Sequence, residues 1–109
     1  MVGRTRQSNL YTVIMEFDGT TSVSQVVARD VRGALRLWLD RLREPGSYGL
    51  SRSALRRLQV AFAEECEMMN GVTPVNIRGA INVWCTTAVV GRRAPRKLAL
   101  LNIVKTHQE

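Results

Sequence analysis

The stretch GRRAPRK, residues 91–97, sets four basic side chains, Arg92, Arg93, Arg96 and Lys97, around Pro95 and between two apolar runs. Arginine suits phosphate because its planar fork donates hydrogen bonds in pairs. An arginine-bearing hairpin tip can track a nucleic-acid backbone or enter a groove. The same charges can also do no more than keep a turn solvated and discourage edge-to-edge aggregation.

A second group lies in SRSALRRLQVAFAEECEMMNG, residues 51–71. Arg52, Arg56 and Arg57 crowd the first turns of an expected helix, and Glu64, Glu65 and Glu67 crowd its last. This order opposes the helix dipole, which favours acids first and bases last by about 0.3–1 kcal/mol per charge. One reading is an anion site, with free N–H groups at the helix start and arginines beside them. The other is that the arginines pair with Asp40 or Glu44 on the preceding helix, and that the glutamates form a solvated or partner-facing acidic patch. Arg78 and Lys105 complete the candidate polyanion contacts.

Covalent and acid–base chemistry is not expected. The one histidine, His107, stands three residues from the end of the sequence, where a general base would lack fixed geometry. No histidine in a patterned segment stands ready to activate a Ser, Thr or Cys nucleophile. Gly46 and Gly49 lack the spacing of a phosphate-binding loop. Cys66 and Cys85 sit in apolar patterns with no CxxC or Cys/His spacing, so neither zinc nor a disulfide framework is expected. No catalytic residue, metal, cofactor or small-molecule substrate is inferred.

Aromatic stacking platforms, which single-strand binders use, are scarce. Tyr11, Phe17, Trp38, Tyr48 and Phe62 fall on expected core faces. Trp84 alone alternates with Asn82 and Thr86, and is either an exposed platform or packed under a helix.

The elements that must position these residues are legible. LYTVIMEF, residues 10–17, and TTSVSQVVA, residues 20–28, flank Asp18-Gly19, a strong hairpin signal because both central residues of a type I′ turn need positive φ. A two-residue turn pairs Phe17 with Thr20, Val13 with Ser24 and Tyr11 with Val26. A longer turn would shift that register. Asp30 then caps a helix whose apolar stripe is Val31, Ala34, Leu35, Trp38, Leu39 and Leu42, ended by Pro45-Gly46. Ser51 or Ser53 caps a second, with the stripe Leu55, Leu58, Phe62, Cys66 and Met69 and a stop at Asn70-Gly71. Residues 75–90 favour a strand, split or bulged at Gly79. Residues 97–106 read as its hairpin partner, although Leu and Ala after Pro95 also permit a helix.

The expected fold is an α+β two-layer sandwich of ββααββ order. An antiparallel sheet of about four strands carries two helices on one face. Residues 1–9 are expected to form a flexible basic arm, and residues 10–106 one domain.

The net charge is +7, and 45% of residues are hydrophobic, enough for a real core. The excess is uneven. Residues 72–109 hold six basic side chains against one acid, whereas residues 51–71 balance at three each. Such a chain favours acidic partners: nucleic acid, an anionic surface or an acidic protein. No run reaches the about 18 apolar residues of a spanning helix, and the cysteine usage suits a reducing cytoplasm.

The segment YTVIMEFDG…SVSQV…ALRLWL resembles the opening of HicB-type antitoxins over about the first 40 residues. The Pro-Gly-Cys stretch of that family between second strand and helix is absent, and no functional residue is carried over. The element order is also similar to that of small immunity proteins, an analogy of fold alone. Two functions are therefore expected: a non-enzymatic module contacting nucleic acid or another polyanion through its basic tip, or a protein-partner module such as an antitoxin, immunity protein or assembly subunit, including a homodimer.

Overall fold

The computed structural model describes residues 8–69, 75–91 and 97–106, with side chains at all of these except 63–69 and 76. The elements run β1 (Asn9–Phe17), β2 (Thr20–Ala28), α1 (Val31–Asp40), α2 (Arg52–Met69), β3 (Val75–Asn76), β4 (Val83–Val90) and β5 (Lys97–Thr106), with 3-10 turns at Arg41–Arg43 and Ser47–Gly49. Four long antiparallel strands and a two-residue edge strand form one sheet in the order β2-β1-β5-β4-β3. The helices pack on one face of it, as the ββααββ reading expects.

The first hairpin has the register that its turn dictates. Asp18 and Gly19 take φ of 52° and 75°, and Phe17 pairs with Thr20, Val13 with Ser24 and Tyr11 with Val26. Tyr11, Val13, Met15 and Phe17 consequently point to one side and are buried. Residues 97–106 form a strand and not a helix. β5 pairs with β4 through Val90–Lys97 and with β1 through Glu16–Leu100. Gly79, at φ 85°, splits residues 75–90. A turn closed by Ala80 N–H donating to Ile77 O, at 3.2 Å, separates β3 from β4.

α1 starts where Asp30 Oδ1 accepts from Gly33 N at 2.8 Å. Its stripe is seated on the sheet, with Ala34, Leu35, Trp38 and Leu42 buried. Ser51 caps α2, its Oγ accepting from Ala54 N at 3.1 Å, and Leu55, Leu58 and Phe62 are buried. The remaining expected stripe positions, Cys66 and Met69, and the stop at Asn70-Gly71 lie outside the described side chains or residues, as do most of the expected basic arm and His107. Trp84 belongs to the core side. It is half-buried and meets the Tyr11 ring at 6.2 Å between centroids.

The two faces of the sheet differ. Alternation and register place Val23, Ile14, Asn102, Cys85 and Val75 in one row across all five strands, on the face opposite the helices. Val23 and Val75 on that row are 64% and 62% exposed, and Val27 and Leu98, toward opposite ends of the same face, are 54% and 56% exposed. Large β-branched and aliphatic side chains thus remain exposed on the face away from the helices, which no described element covers.

Candidate polyanion-binding surface

α2 carries its early arginines to one end of the sheet. Residues 51–57 are capped by Ser51 and turned so that Ala54 and Leu55 are buried, which leaves Arg52, Ser53, Arg56 and Arg57 outward. Ser53, Arg56, Arg57, Val60 and Ala61 line one wall of a cleft of about 280 Å³, and Val89 and Gly91 line the other. Gly91, at this cleft, immediately precedes Arg92 in the sequence. Arg92, Arg93 and Arg96 themselves lie outside the described residues.

Arg57 is held over the core's edge. Its guanidinium lies 5.8 Å from the centroid of the Phe17 ring, a cation–π approach, and its Nε donates to Ser53 O at 3.4 Å. Lys97 makes a close ion pair with Asp18 at the hairpin turn, both side chains about half exposed. The hydrogen bond and the charge of Lys97, with a smaller effect from Arg57, hold the Asp18 carboxyl below its usual range. Asp18, Arg57 and Lys97 therefore share one electrostatic neighbourhood. Among the described residues, neither Arg56 nor Arg57 pairs with Asp40 or Glu44.

The other expected contacts are elsewhere. Arg78 is exposed in the β3–β4 turn, at the opposite end of the sheet from the cleft. Lys105 belongs to that end as well, its backbone N–H donating to Asn82 O at 2.9 Å. The expected contacts thus divide. Arg56, Arg57 and Lys97 are at one end, Arg78 and Lys105 are at the other, and Arg92, Arg93 and Arg96 are outside the described residues.

Sequence reading gave α1 less weight than it merits. Arg32 and Arg36 are exposed on the helix, and Arg41 and Arg43 on the turn that extends it. Arg41 reaches the edge of β2, where its Nη1 donates to Gln25 O at 3.4 Å. The four-residue spacing of Arg32 and Arg36 was the available signal, since it sets two side chains along one side of a helix.

Charge is segregated. Every described Lys and Arg lies on the helical layer, in a loop, or on the helix side at the ends of the sheet. On the opposite sheet face Glu16 is the one charged side chain among the described residues. The arginine side can hold phosphate oxygens through charge-assisted hydrogen bonds. Compared with known proteins, the chain matches no family model, no curated protein and no solved structure.

Proposed function

We propose that the protein is a non-enzymatic binding module that takes a polyanion, nucleic acid foremost, on its arginine-bearing side around Arg56 and Arg57. One observation carries this reading: in a chain of net charge +7, the described cations keep off one sheet face, and Arg56 and Arg57, which make no ion pair among the described residues, line a cleft beside Gly91. Contacts of this kind are phosphate contacts, so binding is expected to be steep in salt and weak in sequence preference. The test is retardation of duplex DNA and of RNA by the full chain at low salt. Absence of any shift overturns the reading.

A different observation favours a second reading, a protein-partner module such as an antitoxin, immunity protein or assembly subunit. It is the partly apolar face opposite the helices, whose one charge among the described residues is Glu16, where a protein surface can be covered and a polyanion gains nothing. Among the described residues no helix is long and apolar enough to cross a membrane. A cytoplasmic location is proposed for either reading, on the strength of the cysteine usage.

A further inference from the structure

The helix-free face of the sheet carries one charge among the described residues, Glu16, and exposes Val23, Val27, Val75, Val89 and Leu98. We propose that it is the interface between two copies of this chain, packed sheet on sheet about a twofold axis near Asn102. The proposal rests on the partner-module reading above and is independent of the polyanion reading.

Charge argues for a second copy. Two molecules of net charge +7 repel wherever their arginine-bearing surfaces approach. Among the described residues, the sheet face opposite the helices carries Glu16 as its one charge, so two copies can meet there without that repulsion. An acidic partner would instead be drawn to the opposite side.

Area argues the same way. Strands about 4.8 Å apart and rising about 3.3 Å per residue give four strands of this length a projected face of about 600 Å². A specific interface takes about 800 Å² of accessible surface per partner, and a projection understates accessible area. Twisted sheets pack face to face with their strands about 30° apart and interdigitate their side chains.

The polar residue at the middle of the face fits a twofold. Asn102 stands centrally in the row Val23, Ile14, Asn102, Cys85, Val75. A carboxamide carries both donor and acceptor, so it is complementary to its own copy across an axis. A single Asn in an apolar contact is also a known means of fixing register.

The test is sedimentation equilibrium of the full chain over a wide concentration range. The wild type is expected at the mass of two chains, falling to one on dilution. Leu98→Lys, on an interior strand and exposed, is expected to weaken association about tenfold or more while circular dichroism stays unchanged. Asn102→Asp sets two carboxylates against each other, so its dimer is expected to weaken at neutral pH and recover below the carboxylate range. A wild type that stays monomeric overturns the proposal, as does a dimer that neither substitution weakens, because the copies then meet elsewhere. Pull-down from cytoplasmic extract with wild-type and Leu98→Lys baits separates the two levels of failure. A monomer that loses a captured protein on Leu98→Lys ends this proposal but leaves the partner-module reading, whereas a monomer with no such difference ends both.

Discussion

Tyr48 lies flat on Trp38. Their rings are 4.7 Å apart and 14° from parallel, and the Tyr48 hydroxyl donates to the Trp38 carbonyl at 2.7 Å. The contact ties the loop after α1 to the largest fully buried side chain of the core. It also holds Tyr48 at φ 57°, which a non-glycine residue adopts only when its surroundings impose it. Tyr48→Phe keeps the stack and removes the hydrogen bond. It is expected to cost about 1 kcal/mol in urea denaturation, and an unchanged midpoint would show that this bond adds nothing.

The same phenol makes the fold sensitive to alkali. Burial is the main cause that raises the Tyr48 pKa, with Glu44 raising it further and Arg41 opposing. Tyr11 is raised in the same direction, first by burial and then by Asp30. A raised pKa means that the folded chain keeps its proton where the unfolded chain has lost it. The stability from this source is complete below the ordinary tyrosine pKa of about 10 and declines as pH rises above it. Denaturation midpoints followed from neutral into strongly alkaline solution should fall on that limb, and less steeply in Tyr48→Phe.

Two hydroxyls on β2 are buried with no hydrogen-bond partner among the described residues, those of Ser22 and Ser24. They face Met15 and Val13 across the hairpin. Each loses its hydration without a replacement bond, so the small size of serine and not its polarity suits the site. Ser22→Ala and Ser24→Ala should leave stability unchanged or raise it by up to about 1 kcal/mol. A loss of stability of that size in calorimetry would show a partner for the hydroxyl.

Asp30 caps α1 by accepting from Gly33 N. Asp30→Ala should lower stability by about 1 kcal/mol. Gly33→Ala would ordinarily gain about 1 kcal/mol of helix propensity. Here its new Cβ would lie 3.2 Å from the Asp30 carboxylate and 3.4 Å from the Ala28 methyl. Thermal denaturation is expected to show none of that gain.

On the arginine side, Arg56→Ala and Arg57→Ala should weaken nucleic-acid retention about equally on all sequences and reduce the salt slope by about 1 each. Asp18→Asn keeps a residue type that tolerates positive φ and removes the acid beside Lys97 and Arg57. It should tighten retention. Filter binding across a salt series reads both, and looser retention by Asp18→Asn would place the contact away from this end of the sheet.

How far these features could be read beforehand follows from the range of the forces involved. The Asp18-Gly19 turn fixes the β1–β2 register because backbone sterics at two adjacent residues decide it. Asp30 and Ser51 announce their helices for the same local reason. The neighbourhood of β1 and β5 has no such signal, since Tyr11 meets Lys105 across most of the chain and only shared burial selects the pair. That pairing settles the site: it brings Lys97 to Asp18 and sends Arg78 to the far end. The alternation of Leu10, Thr12 and Ile14 with the buried β1 residues is visible in the sequence. That no described element covers the other side of the sheet is not, because it depends on where both helices dock.

The place of β5 between β1 and β4 has a consequence for the growing chain. β1 and β2 emerge from the ribosome before β5 and can close their hairpin at once, but the other edge of β1 lacks its β5 partner until Lys97–Thr106 has been made. An isolated hairpin is marginal in water, and an unpaired, uncharged strand edge invites foreign pairing. Final closure of the sheet is thus a late step that waits on Lys97–Thr106, and the nascent hairpin is the species that a chaperone would have to shelter.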